Sequence, residues 1–187
     1  FCTADYDELL RDPEVELIMI ATRHDLHAPM AIKALEAGKH VFVEKPLAID
    51  ASQCEAIEAC VKSLPGGKLL MTGYNRRFSP AVSHVGRLLA GRTAPLVVNY
   101  VMNAGYIPRD HWVHGPEGGG RNIGEACHIY DLFVHLCGGQ APISVTANCI
   151  GGGGHRLAQN DNFVATLGFP DGSVCTLTYT ALGDRGY

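Results

Sequence analysis

Apolar residues fall along this chain in two different rhythms. Over the first 75 positions, short apolar runs alternate with helical patterns. Residues 6–10 (Tyr-Asp-Glu-Leu-Leu) predict a short helix closed by Asp12-Pro13. Residues 15–21 are apolar and β-branched, which predicts a buried parallel strand. Residues 26–37 place Ala31, Ala34 and Leu35 on one side of a helix that Gly38 stops. A second strand is predicted at 40–43, a helix capped by Asp50 at 51–63, and a third strand at 69–73 after a Pro65-Gly66-Gly67 turn. Ser79-Pro80 then opens a helix to about residue 90, with serine as cap and proline in the first position. This alternation predicts a parallel, doubly wound sheet.

After Pro95 the rhythm changes. Residues 96–102, 143–150, 162–169 and 173–180 read as long strands of an antiparallel sheet, the last two joined at Pro170-Asp171-Gly172. A single helix, about 123–137, interrupts them, with Ile123, Cys127, Leu132 and Leu136 apolar. The predicted fold class is α/β: a partial parallel sheet at 1–75, followed at 76–187 by an α+β domain with a large, mostly antiparallel sheet.

Composition narrows the partners. The chain has 187 residues, 47% of them hydrophobic, and a net charge of −4 without a basic stripe, so nucleic acid is excluded as an expected partner. Apolar stretches are too short to span a bilayer, and no signal-peptide pattern opens the chain, so no membrane partner is expected. Seven cysteines (2, 54, 60, 127, 137, 149, 175) are scattered and form no CxxC pair. That usage fits a reducing cytoplasm, with the thiols serving as small core residues. The chain opens on Phe1 and ends inside an apparent hairpin, which suggests a fragment of a longer protein.

Three successive strand ends carry polar groups: Thr22, His24 and His27 after the first, Glu44 and Lys45 after the second, Asn75 and Arg76 after the third. Each has a plain explanation alone. Lys45 could be a solvated lysine, and Asp25 a simple helix cap. Together they describe the carboxyl edge where open α/β sheets bind ligands. A helix beginning at that edge would also offer free N–H groups to an anion.

In the second half, His128, Asp131 and His135 share one helical face by their spacing. This suits an acid/base histidine oriented by a carboxylate, or a metal site. Without a second ligand cluster, no metal is predicted. His111 and His114 flank Trp112 and read as exposed loop histidines. Gly118-Gly119-Gly120 point either to a backbone that approaches something closely or to a flexible linker. The chain contains neither GxGxxG nor GK[ST], and the glycines at 151–154 before His155 read as a hairpin loop.

These segments, in this order, resemble the glucose-fructose oxidoreductase/inositol dehydrogenase (Gfo/Idh/MocA) family. Residues 21–27 (Ala-Thr-Arg-His-Asp-Leu-His) resemble its ATPNxxH segment, with Arg for Pro and His for Asn. Residues 43–48 carry its EKP signature, 73–80 its NRRF-x-P segment, and Trp112, Gly118-Gly119-Gly120 and His128-Ile129-Tyr130-Asp131 its W…GGG…HxxD region. The resemblance implies a Rossmann domain at 1–75 and a substrate and oligomerisation domain at 76–187. It implies an NAD(P)-dependent dehydrogenase acting on CH–OH groups of a sugar, polyol or sugar derivative, with NAD or NADP as cofactor.

By resemblance, Lys45 would sit near the nicotinamide and the reacting hydroxyl, with His128 as its acid/base partner. Thr22, His24, His27, Glu44, Lys45, Pro46, Asn75 and Arg76 would line the cofactor. Trp112, Arg121, Glu125 and Asp131 would face the substrate. A homo-dimer or homo-tetramer suits a broad sheet with one free face. Other readings are an NAD-using glycosidase of the same fold, a non-catalytic sensor or scaffold, and a metal-dependent hydrolase built on His128, Asp131 and His135.

Two departures from the family pattern stand out. The GxGxxG strand is absent, so this chain alone is expected to bind dinucleotide weakly. Gly124 stands where many members carry aspartate four residues before the histidine, and Glu125 lies one place along. The Gly-Gly-Gly-Arg…Gly-Glu…Cys-His wording also resembles a branch fused behind a zinc-dependent alcohol-dehydrogenase-like module.

Overall fold

The computed structural model describes residues 2–64, 66–150 and 159–184. The glycine run at 151–154, His155 and Pro65 lie outside the described residues. Helix α1 (Tyr6–Arg11) starts where the Asp5 carboxylate accepts from Asp7 N at 2.9 Å. Strand β1 (Leu17–Ile20) leads into α2 (His24–Glu36), which ends at Gly38, whose φ of +74° suits a residue without Cβ. There Gly38 N donates to Leu35 O and Lys39 N to Ala34 O, satisfying two terminal carbonyls. Strand β2 (His40–Val43), α3 (Ala51–Ser63) and β3 (Leu70–Thr72) complete the first layer, with Asp50 capping α3 through Gln53 N.

β1, β2 and β3 pair in that order, all parallel. Their core is Ile18, Ile20, Val41 and Val43 packed on Ala31, Ala34 and Leu35 of α2, with Leu10 of α1 and Cys60 of α3. The three parallel strands match the expected partial Rossmann-type sheet. Both crossovers step in the same direction across the sheet, and right-handed crossovers that step the same way fall on the same face. The opposite face leaves Leu17, Met19 and Met71 exposed, so β1 is half-buried rather than buried on both sides.

Ser79 caps α4 (Pro80–Leu89) by accepting from Val82 N, with Pro80 in the first turn. β4 (Val97–Asn103), β5 (Ser144–Cys149), β6 (Asn162–Gly168) and β7 (Val174–Thr180) form a second sheet of order β4-β7-β6-β5. β5·β6 and β6·β7 are antiparallel, as expected of a mostly antiparallel sheet, whereas β4 pairs with β7 in parallel and makes the sheet mixed.

Helix α5 (Cys127–Leu136) follows a π-helical turn at Asn122–Ala126. It buries Ile129 and Phe133 against Ala165, Leu167, Leu177 and Tyr179. Four-residue spacing puts Ile129 and Phe133 on one helix stripe, which is why this segment seals the sheet. The far face carries Val97 and Val101, 81% and 72% exposed, with Val164 and Val174. Among the described residues, no helix is long and apolar enough to cross a membrane.

The thiols divide. Cys60, Cys137 and Cys175 are core residues as expected and Cys127 is half-buried, but Cys2, Cys54 and Cys149 are exposed and depart from that expectation.

Candidate active site

The carboxyl edge of the first sheet meets the π-turn and α5 of the second half. Lys45 leaves β2 and reaches across this seam. Its Nζ donates to Gly124 O at 2.8 Å and lies 3.6 Å from Glu125 Oε2. Glu125 Oε1 is 3.4 Å from the Arg76 guanidinium, which comes from the short 3₁₀ turn Arg76–Phe78 after β3. These side chains are about one-fifth to one-third exposed, so the pairs contribute only ~0–1 kcal/mol each and act mainly by fixing orientation.

His128, in the first turn of α5, is buried and its Nδ1 has no hydrogen-bond partner. Its pKa is lowered, first by burial and then by the Lys45 ammonium, with Arg76 adding and Glu125 and Glu44 opposing. At neutral pH the imidazole is therefore uncharged and able to accept a proton. Tyr74 stands edge-on to it at 6.2 Å between ring centroids. Burial pushes the neighbouring Cys127 thiol up to about 12 despite Lys45, so it stays protonated.

Thr22, Glu44 and Asn75 are exposed at the same edge. Gly73 keeps room there for Glu44, since a Cβ at position 73 would lie 3.2 Å from its carboxylate. His27 instead is buried, donating from Nδ1 to Pro46 O at 2.7 Å, with Nε2 3.2 Å from Thr22 O. It braces two strand ends against each other, and Pro46 is itself buried.

The loop before the π-turn closes over the start of α2. Asp25 N donates to Glu117 O at 3.1 Å, and His24 Nδ1 donates to Gly118 O at 2.9 Å. Asp25 thus does not cap α2 with its side chain, and one N–H of this terminus is taken up within the chain rather than left for an anion. Trp112 stands edge-on to His24 at 4.9 Å, and the Arg23 guanidinium lies 4.2 Å from its ring centroid.

The glycine triplet is tightly packed, not a loose linker. A Cβ on Gly118 would sit 2.3 Å from Val113 O, and one on Gly119 3.1 Å from Ile49. His114 is not an exposed loop residue. Its side chain is one-tenth exposed, with Nε2 3.8 Å from Asp161.

Two expected substrate residues have structural partners. Arg121 is buried and donates to Gly105 O (2.6 Å) and Ala104 O (2.9 Å). Asp131 pairs with Arg77 rather than His128, and His135 is exposed, so the proposed three-residue face does not converge. Among the described residues, no group of three metal-ligating side chains is close enough to hold an ion. Sequence reasoning missed Arg77, Arg23 and Tyr74. Arg77 lay inside the NRRF segment, but a 3₁₀ turn aims consecutive arginines at different partners, which spacing alone does not reveal.

The Gfo/Idh/MocA model, described as an oxidoreductase family with an NAD-binding Rossmann fold, matches residues 1–74. An uncharacterized oxidoreductase, YdgJ of Escherichia coli (strain K12), is 34% identical over 89% of this chain and 48% of its own length. The chain belongs to the Gfo/Idh/MocA oxidoreductase family. The scyllo-inositol 2-dehydrogenase (NAD(+)) of Bacillus subtilis (strain 168) is 30% identical over 95% of this chain and 49% of its own. A crystal structure of an oxidoreductase domain protein from Kribbella flavida superposes with a TM-score of 0.83 at 27% identity, covering 97% of this chain and 52% of that one. The chain spans about half the length of the curated relatives it matches.

The residues present fit the nicotinamide end of such a family cofactor. An exposed polar strand edge adjoins a buried imidazole nitrogen and an Arg76 Nε that both lack partners.

Proposed function

We propose that the full-length protein interconverts a hydroxyl and a keto group on a sugar, polyol or related cyclic diol, using NAD or NADP. One observation carries this reading: Lys45 is held by the second half of the chain beside a buried, uncharged His128. Residues 1–75 supply the cofactor side and 76–187 the substrate side. Thr22, Glu44, Pro46, Asn75 and Arg76 would hold the dinucleotide near its nicotinamide, with His24 and His27 supporting that edge from behind. Trp112 and Glu125 border the same region, whereas Arg121 and Asp131 act through the backbone and Arg77.

The bound nicotinamide supplies the hydride acceptor or donor. His128 takes the hydroxyl proton, for which a neutral imidazole is required. The Lys45 ammonium stabilises the developing alkoxide, its Nζ oriented by the Gly124 carbonyl. Similarity to an inositol dehydrogenase favours a cyclic polyol as substrate class. A second copy of the chain is proposed to cover the open face bearing Val97 and Val101, giving a homo-dimer or homo-tetramer in the cytoplasm.

The test is reduction of NAD and NADP by the full-length protein with a panel of inositols, aldoses and cyclic diols, read as absorbance of the reduced nicotinamide. Lys45→Ala should lower kcat at least a hundredfold with the fold intact. Unchanged turnover in that variant refutes the role of Lys45.

A further inference from the structure

Lys45 has one carboxylate within 4 Å among the described residues, and it belongs to Glu125. The neighbouring position is glycine, and the structure gives a steric reason. A Cβ on Gly124 would lie 2.8 Å from His24 Cε1 and 3.2 Å from its Nδ1. That ring has little freedom to withdraw. Its Nδ1 is bonded to Gly118 O, Trp112 packs on its edge, and it is buried. His24 and Gly124 therefore form one fitted pair from opposite halves of the chain.

We propose that Glu125 is the positioning carboxylate of the Lys45–His128 site, and that it acts from position 125 because His24 fills the room a side chain at 124 would need. This rests on the functional reading above for its purpose, but not for its geometry. The π-turn Asn122–Ala126 presents two successive groups to one ammonium, the Gly124 carbonyl and the Glu125 carboxylate. The other oxygen of Glu125 faces Arg76. One carboxylate thus stands between two cations at the door of His128.

The charged groups that bear on His128 are Lys45 and Glu44 at the end of β2, Arg76 after β3, and Glu125 one turn upstream. The acids among them raise its pKa and the bases lower it. Neutralising Glu125 leaves Lys45 and Arg76 less compensated, so His128 should bind its proton only at lower pH.

The test is an NMR titration of the histidine rings in the chain as it stands, with the His128 resonance assigned by its loss in His128→Asn. Glu125→Gln should move the His128 midpoint to lower pH, and Lys45→Met should move it to higher pH. An unchanged midpoint in a folded Glu125→Gln variant overturns the assignment of Glu125; if that variant does not fold, Glu125→Ala takes its place in the same titration. For the steric half, Gly124→Asp should lower the melting temperature, and adding His24→Asn should recover it. In that double variant, Glu125→Gln should shift His128 less than it does in the natural sequence. A Gly124→Asp protein as stable as the natural one overturns the steric account. No cofactor or substrate enters these measurements. If the shifts occur while the full-length protein fails to reduce nicotinamide with any polyol, the functional reading falls and this inference stands.

Discussion

Arg77 and Asp131 hold the two halves of the chain together through a two-pronged ion pair. Arg77 Nε donates to Asp131 Oδ2 at 2.9 Å, and a terminal nitrogen bonds the other oxygen. The arginine belongs to the turn after β3 and the aspartate to α5, three residues beyond His128. The Asp131 side chain is only 9% exposed, so Arg77 is what replaces its lost water contacts. Arg77→Ala should cost ~1–3 kcal/mol by leaving a buried carboxylate unpaired, measured by urea unfolding. Arg77→Lys should recover only part of it, because an ammonium cannot match both oxygens in one plane.

The loop of three glycines should be intolerant at its first position. Gly118→Ala places a methyl against backbone atoms of Val113, which cannot swing aside as a side chain end can. A loss of ~1–3 kcal/mol is expected, with loss of the His24–Gly118 bond reported by a changed His24 resonance. An unperturbed melting temperature contradicts this account.

Acid should weaken the fold through two histidines. His24 and His128 are both lowered in pKa chiefly by burial, while the unfolded chain has the ordinary imidazole value of about 6.5. Below that value, and above the folded pKa, the unfolded chain binds more protons than the folded one. Stability therefore rises with pH across this window and is lost as pH falls through it. Melting temperatures between pH 5 and 8 should show this slope, and His128→Asn should flatten it.

The exposed valines of the second sheet should matter for association. Val101→Glu, on the face opposite α5, should shift the full-length protein toward monomer in sedimentation velocity while leaving the circular dichroism spectrum unchanged. A natural protein that is already monomeric at micromolar concentration rules out the proposed self-association through this face.

Much of this was legible in the sequence for a local reason. Strand and helix periods, Asp50 and Ser79 as caps, and Gly38 as a stop are set by neighbours within a few residues, so the elements of the first half fell close to their expected places. The polar strand ends were legible as a group because a parallel sheet puts every carboxyl end on one edge. What could not be read is pairing at long range. Nothing near Val97 says that it aligns with Val174 in parallel, or that Arg77 finds Asp131. The burial of His114 and the crowding of Gly118 by Val113 likewise follow from how the loop folds back on itself. Which face each crossover covers was equally out of reach, because strand order, not strand spacing, decides it.

The parallel pairing of β4 with β7 has a consequence for how the chain is made. Among the described residues β4 has one strand neighbour, β7, with Val97 aligned to Val174. During synthesis β4 must wait, with Val98, Tyr100 and Met102 not yet packed into the core around α5, until β7 has emerged. A nascent chain arrested before β7 would carry an unsatisfied strand edge and an uncovered α5, making that interval the time of greatest need for a chaperone.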